Sequence, residues 1–372
     1  MSEFRVLEKL GEGSFAGVYK VLRKSDDKLY ALKKVKFDSM SSREKQNALN
    51  EIRILASISH ENVISYKEAF IDEECGYLCI VLEYAEKGDL NAKIKTHKKT
   101  KTHFPEREIW RILIQSLKGL KALHDLHILH RDIKSANIFV GSDERVLLGD
   151  LNVAKIVNGL AYTQTGTPYY ASPEVWKDCP YNSKSDIWSL GCVIFELAAL
   201  HPPFQASDMK SLYRKVTRGS IPKLPLFYSA ELYAIIKMML QVKPKHRPSA
   251  ERLLSHSLVV KNSEGEVVEQ AEKINGELIK SIRLPPNLRC LKHRLPAAKY
   301  NNSRNLSADR NDFDKENVHI MSVDKPKQPQ KTSLTPSPSL RLSHKLKKDT
   351  QKSIFKDSSP KIPVKLPPLP KF

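Results

Sequence analysis

The run His130-Arg131-Asp132-Ile133-Lys134-Ser135-Ala136-Asn137, followed thirteen residues after Asn137 by Asp150-Leu151-Asn152, constrains this chain more than any other feature. It sets a base, a cation and two oxygen ligands suited to a metal within one short span. Phosphoryl transfer asks for that set, because its catalysis rests on positioning and on neutralising charge. The pattern H-R-D-x-K-x-x-N is too long to arise readily by chance. The rest of the chain can therefore be tested against it.

A chain of 372 residues has room for two lobes and a tail. Its hydrophobic content of 40% is enough for packed cores, and its net charge of +20 favours acidic partners such as nucleic acid, acidic protein surfaces or anionic membrane. Five cysteines, an odd number with no CxxC pair, argue against a disulfide framework and a zinc site and fit a reducing compartment. The opening MSEFRVLEKL is charged and lacks an apolar core, so no secretory signal is expected there. Ser2 in place of Gly removes N-myristoylation. No apolar run reaches the ~18 residues that a membrane span needs. A soluble, intracellular protein is expected.

Residues 4 to about 95 read as strands plus one helix. Apolar residues alternate in Tyr19–Leu22 and Tyr30–Lys33. Ser41 and Glu44 form a capping box, and Leu49, Ile52, Leu55 and Ile58 follow at near-helical spacing. Tyr77–Leu82 is a continuous apolar run, as a buried strand would be. From about 105 to 258 the pattern is helical. Ile109, Ile112, Leu113, Leu117, Leu120 and Leu123 make one face, and further helices run through Trp188–Leu200 and Ala230–Leu240. A mostly β front before a mostly α back predicts a two-lobed α+β enzyme. Beyond 260, Ser263–Ile282 has short amphipathic character, interrupted by Gly276. Residues 301–372 hold nine prolines and three aromatics, too little apolar surface to offset chain entropy, and are predicted disordered. Residues 261–372 contain 23 Lys and Arg against 12 Asp and Glu, so +11 of the charge sits there.

Gly11-Glu12-Gly13-Ser14-Phe15-Ala16-Gly17-Val18 follows the first predicted strand. Glycines there let backbone N–H groups approach nucleotide phosphates without a side-chain clash. Lys33 ends Ala31-Leu32-Lys33, and Glu51 lies two turns into the predicted helix. Alone, each is an ordinary strand or helix residue. Lys34 competes with Lys33, but strand alternation turns the two to opposite faces.

Taken with the Asp132 and Asp150 motifs, these pieces resemble a eukaryotic-type protein kinase. The resemblance implies a bilobal kinase domain over 4–258, with a small mainly-β N-lobe at about 4–82, a hinge at 83–88 and a larger mainly-α C-lobe at 89–258. A helical or extended piece (259–300) and a basic regulatory tail (301–372) would follow. It implies ATP and Mg2+ as cofactors. Leu10, Gly11, Gly13, Val18 and Ala31 would surround the nucleotide. Lys33 would clamp its phosphates, held by an ion pair with Glu51. Backbone groups of Glu83 and Ala85 in Leu82-Glu83-Tyr84-Ala85 would bind adenine, with Leu82 at the back of the pocket. Asp132 would take the substrate proton, Lys134 would neutralise the transferring group, and Asn137 and Asp150 would hold magnesium. His130 reads as a core residue. Glu174 would pair with Arg247, and Asp186 would brace the catalytic loop. Lys134 with Thr167 points to serine/threonine specificity, and the β-branched Val153 to a threonine preference.

Three residues depart from the kinase pattern. Ala16 fills the third glycine slot, with Gly17 beside it, and Leu151-Asn152 stands where Phe-Gly is usual. Asn tolerates the positive φ that the glycine slot needs.

Gly166–Glu174, Lys184–Cys192 and Glu83–Leu90 resemble the NIMA-related kinases in particular. That resemblance implies roles at centrosomes, basal bodies, cilia and microtubules or in mitotic control, with a cytoplasmic, cytoskeletal or nuclear location. It also implies activation by phosphorylation at Thr163, with Thr165 as neighbour. Protein substrates are the expected partners. The basic tail could dock microtubules or another acidic surface, while its lack of interleaved aromatics speaks against nucleic acid. Thr335-Pro336, Ser337-Pro338 and Ser359-Pro360 are minimal proline-directed phosphosites, Lys315-Glu316-Asn317 matches a KEN-type degradation box, and Pro363–Pro370 has polyproline II character. The competing readings are a pseudokinase scaffold, for which Ala16 and Asn152 are the only marks, and a microtubule-associated protein working through its tail.

Overall fold

Alternating strands and one capped helix build the front of the molecule. The structure, a computed structural model, describes residues 1–12, 16–150, 168–263 and 295–300, and of Glu51 only the backbone. Strands β1 (Phe4–Glu12), β2 (Ala16–Arg23), β3 (Lys28–Lys36), β4 (Tyr66–Asp72) and β5 (Tyr77–Glu83) form one sheet in the order β1-β2-β3-β5-β4. All neighbours are antiparallel. Helix α1 (Ser42–Ser57) sits between β3 and β4 in the chain. It starts where the sequence reading put it. Ser41 accepts from the Glu44 amide at 3.4 Å, and Glu44 Oε2 accepts from the Ser41 amide at 2.8 Å.

The unbroken apolar run of β5 has a structural reason: both of its faces are buried. Leu78 and Ile80 join Val35, Leu49, Ile52 and Leu55 under α1, while Cys79 and Val81 join Phe4, Val21, Tyr30 and Leu32 on the other face. Strand alternation also separates Lys33 from Lys34 in β3. Lys33 reaches Asp150, and Lys34 pairs with Asp72 of β4 at 3.6 Å.

The back is helical: α2 (Leu90–Thr100), α3 (Glu106–Asp125), α4 (Pro173–Trp176), α5 (Ser183–Ala199), α6 (Met209–Arg218), α7 (Ala230–Met239), α8 (Ala250–Leu254) and α9 (Ser257–Lys261). The expected apolar face of α3 is buried in full, from Ile109 to Leu123. Each such Leu or Ile contributes about 1.5–3 kcal/mol of transfer free energy. Helix α5 begins five residues before the expected Trp188, because a polar capping box, Asn182 with Ser185, starts it. Helix α2 falls partly in the segment read as strands. Only Leu90 and Ile94 of it are buried, so it carries little apolar periodicity, and the side chain of Asp89 starts it by accepting from the Ala92 amide at 2.8 Å. Among the described residues no helix is long and apolar enough to cross a membrane.

Between α3 and α4 a short hairpin, β6 (Ile138–Val140) with β7 (Val146–Leu148), separates the loop holding Asp132 and Asn137 from Asp150. It is tied to the segment after α1. The Leu148 amide donates to the Asn62 carbonyl and the Ile64 amide to the Leu148 carbonyl, both at 2.9 Å. The Ser263–Ile282 helix beyond Ser263 and the 301–372 tail lie outside the described residues.

Candidate active site

The loop Ile128–Asn137 is fixed from behind by one carboxylate. Asp186, in the first turn of α5, has no exposed surface. It accepts from the His130 amide at 3.1 Å, the Arg131 amide at 3.0 Å and the Tyr181 hydroxyl at 2.5 Å, and its Oδ2 lies 2.8 Å from His124 Nε2. Burial works against its charge. The His124 contact and the Tyr181 hydroxyl outweigh that and hold the carboxyl below its ordinary range. Arg131 takes φ +66°, a left-handed conformation that turns the chain into Asp132. His130 is buried, burial lowers its pKa, and its ring nitrogens have no hydrogen-bond partner among the described residues. It is a neutral core residue, as its motif position suggested.

The chemistry-bearing side chains meet in front of that loop. Lys134 Nζ donates to Asp132 Oδ2 at 2.9 Å. Asn137 Nδ2 donates to the Asp132 carbonyl at 2.9 Å and to Asp132 Oδ2 at 3.0 Å. A 3-10 turn, Ser135–Asn137, sets this spacing before β6. The Asn137 carbonyl accepts from the Gly149 amide at 3.0 Å, so the end of β7 is bonded to the loop. A Cβ at Gly149 would stand 2.8 Å from the Phe139 ring and 2.9 Å from Ile64 Cδ1, so any larger residue there must displace those side chains. The next residue, Asp150, has φ +52°. Its Oδ1 accepts from Lys33 Nζ at 3.2 Å, which joins the sheet to the loop. Burial opposes the Asp150 charge, but Lys33 and, further off, Lys134 keep its carboxyl below the usual carboxylate range.

This donor set suits a hard cation. Both donations of the Asn137 amide go to Asp132, which leaves its side-chain oxygen for another partner. Asp150 is an ionised carboxylate with 42% of its side chain exposed. Two oxygens of this kind fit magnesium, which draws the rest of its shell from phosphate and water. Among the described residues no group of three or more His, Cys, Asp or Glu is placed to hold a metal.

The segment joining the two lobes is anchored by its own side chains. The Glu83 amide donates to the Ser65 carbonyl at 2.9 Å. The Glu83 carboxylate accepts from the Ser65 amide at 3.2 Å and from Arg145 Nη2 at 2.6 Å. Ala31 stands opposite Leu82, and Val18 opposite both Lys33 and Gly11, so these residues share one patch of sheet with Leu10 on β1. Gly13, Leu151, Asn152, Thr163, Thr165 and the side chain of Glu51 lie outside the described residues.

Behind the site, Glu174 and Arg247 form the expected buried pair. Nη1 donates to Oε1 at 2.6 Å and Nη2 to Oε2 at 2.5 Å. The remaining guanidinium donors go to the carbonyls of Gln241, Lys184 and Val242. One network escaped the sequence reading. The Tyr170 hydroxyl donates to Glu196 Oε2 at 2.6 Å and lies 3.0 Å from Ser135 Oγ, which links the segment before α4 to the catalytic loop. Tyr170 and Ser135 lie inside the kinase-like motifs, and a charged residue within the apolar helix α5, Glu196, is the sequence signal that they have a partner.

The protein kinase domain family matches residues 4–259. The chain belongs to that family. It is 39% identical over 264 residues to a probable serine/threonine-protein kinase nek2 of Dictyostelium discoideum, covering 70% of this chain and 63% of that protein. It is 42% identical over 257 residues to the serine/threonine-protein kinase Nek3 of Mus musculus (68% and 49%), and 40% identical over 265 residues to Nek2 of Homo sapiens (69% and 60%). The matches thus span less than two thirds of each of these relatives. Within the kinases, this likeness puts the chain among the NIMA-related serine/threonine kinases, as its motifs indicated.

Proposed function

We propose that this chain transfers the γ-phosphate of ATP to serine or threonine hydroxyls of protein substrates. The observation that carries the proposal is the chain of contacts Lys33–Asp150 and Lys134–Asp132–Asn137, which gathers onto one cleft groups drawn from three parts of the sequence. In the reaction a substrate oxygen bonds to the γ-phosphorus, the bond to the ADP oxygen breaks, and the hydroxyl proton passes to Asp132. Lys134, bonded to Asp132, neutralises charge on the transferring group. Lys33 holds the non-transferred phosphates, and Glu51 on α1 orients Lys33. Asn137 and Asp150 would hold Mg2+, which when bound neutralises phosphate charge. Leu10, Gly11, Gly13, Val18 and Ala31 enclose the nucleotide, and the backbones of Glu83 and Ala85 bind adenine.

The test is transfer of labelled phosphate from Mg-ATP to casein or a basic peptide, with Asp132→Asn as control. Loss of a general base lowers kcat by about 10²–10⁴-fold. Equal rates in the two proteins would refute the reading and favour a scaffold. The mutual contacts of Lys33, Asp132, Asn137 and Asp150 speak against a scaffold, since a binding module has no need of them.

We further propose activation by phosphorylation at Thr163, with Thr165 as neighbour, and a cytoplasmic role on the cytoskeleton, at centrosomes, basal bodies or cilia. The +11 charge of residues 261–372 and the Nek likeness support this reading. Co-sedimentation of the full chain with microtubules at two salt concentrations tests the docking part. Charge-driven binding weakens with salt, and absence of binding at low salt would overturn it.

A further inference from the structure

A short segment beyond the matched kinase domain grips the open edge of the front sheet. The Pro296 carbonyl accepts from the Tyr66 hydroxyl at 3.1 Å, and the Lys299 amide donates to the Lys67 carbonyl at 2.6 Å. Tyr66 and Lys67 begin β4, the outermost strand on that side of the sheet. An edge strand presents unpaired backbone groups, and an extended segment is a natural occupant.

Adjacent residues of an extended segment point to opposite faces, and Lys299 and Tyr300 do so here. On one face Lys299 Nζ donates to the Ala56 carbonyl at 2.6 Å, in the last turn of α1. That turn has no basic residue of its own. Lys299 therefore supplies the cation that favours a helix C-terminus, from 243 residues further along the chain. On the other face Tyr300 packs on the small core of Phe4, Val21, Tyr30 and Leu32. Its ring meets Tyr30 edge-on at 5.4 Å between centroids, and the Arg23 guanidinium carbon lies 3.4 Å from its centre. Its hydroxyl is buried beside Glu68. Burial, then that carboxylate, pushes the phenol far above its ordinary pKa, so it stays neutral.

We propose that residues 295–300 are an intrachain brace that pins the C-terminal turn of α1 to the β4 edge and so positions the helix bearing Glu51 against the strand bearing Lys33. The positioning half rests on the kinase reading above, and the binding half does not. Tyr300 and Lys299 are positioning residues, since neither reaches the cleft side chains.

The test uses the full chain with Lys299→Met, Tyr300→Ala and Tyr300→Phe. Amide hydrogen exchange in residues 50–58 and 64–72 should quicken about tenfold in Lys299→Met and Tyr300→Ala, as the loss of one charge-assisted bond or one buried ring predicts. Tyr300→Phe keeps the ring and should match wild type. In the same two variants KM for ATP should rise several-fold, while KM for the protein substrate stays unchanged. Unchanged exchange in both would overturn the brace. Wild-type exchange that slows with protein concentration would show that a second copy supplies the segment, which also overturns it. Faster exchange with unaltered KM for ATP would overturn the positioning half. If wild type transfers no phosphate at all, the kinase reading fails and the exchange rates still decide the brace.

Discussion

Asp150 is asked to do two things with one carboxylate. It meets Lys33 at 3.2 Å, and its left-handed backbone aims it out of β7 toward the cleft. Asp150→Asn keeps the shape and removes the charge. It should abolish magnesium-dependent transfer by about 10²–10³-fold, the cost typical of losing one aimed electrostatic contact. Thermal stability should change little. A rate within threefold of wild type, in a magnesium titration, would contradict the metal assignment. Lys33→Met removes the other partner and should reduce kcat/KM for ATP by a similar order. If it does not, and Lys34→Met does, the strand register assigned to β3 is wrong.

The platform under the site is an affair of elements. Arg247, just before α8, reaches Glu174 at α4 and the carbonyl of Lys184 in α5, with almost none of its side chain exposed. Arg247→Ala leaves a buried carboxylate without its cation and should cost about 3–5 kcal/mol in urea unfolding. Arg247→Lys cannot restore the bidentate geometry and should recover only part. Burial works to raise the Glu174 pKa, but the bonds from Arg247 and then Ser185 outweigh it and leave the folded value lowered. The contribution of this group to stability is then complete above the ordinary value of 4.5 and is lost as pH falls through the lower folded value. Glu174→Gln has no such proton to gain. Its stability deficit should shrink as pH drops below 4.5, and a constant deficit would contradict the pairing. Much of this level was legible in advance. Local signals announced α1 through Ser41 and Glu44, β5 through its unbroken apolar run, and α3 through a face spaced for a helix. The Glu174–Arg247 pair came from motif likeness. What stayed hidden has a physical reason. Helix α2 buries two side chains and shows lysines to solvent, so it has no stripe to read. The Tyr170–Glu196–Ser135 contacts join residues remote in sequence, and only packing brings them together.

At the scale of the whole molecule, bonds among the described residues tie front to back through the 61–64 segment to β7 and Arg145, through Glu83 to Arg145, and through Lys33 to Asp150. A cleft between them must be held in register by added contacts. Under the proposed activation, phosphorylation of Thr163 would add roughly −1.5 to −2 charges, with which Arg131, beside Asp132 in the sequence, could pair. Thr163→Ala should lower activity by an order of magnitude or more. Full activity in that variant would remove the switch. The sequence could not foretell the 295–300 segment as part of this lobe arrangement, since neither periodicity nor motif marks Pro296, Lys299 or Tyr300. The expectation of a kinase fold came from the likeness of the motifs holding Asp132, Asn137 and Asp150 to those of protein kinases, short local patterns that can be read without the fold, and residues 4–259 match that family.

One measurement reaches the centre of the account: transfer of radiolabelled γ-phosphate from Mg-ATP to a protein substrate by the full chain, beside Asp132→Asn and Asp150→Asn at equal folded concentration. The account predicts serine or threonine labelling by the wild type and a rate lower by about two orders of magnitude or more in each variant. Labelling that persists unchanged in both variants, or a wild type that binds neither nucleotide nor transfers phosphate with its loop phosphorylated, would contradict it.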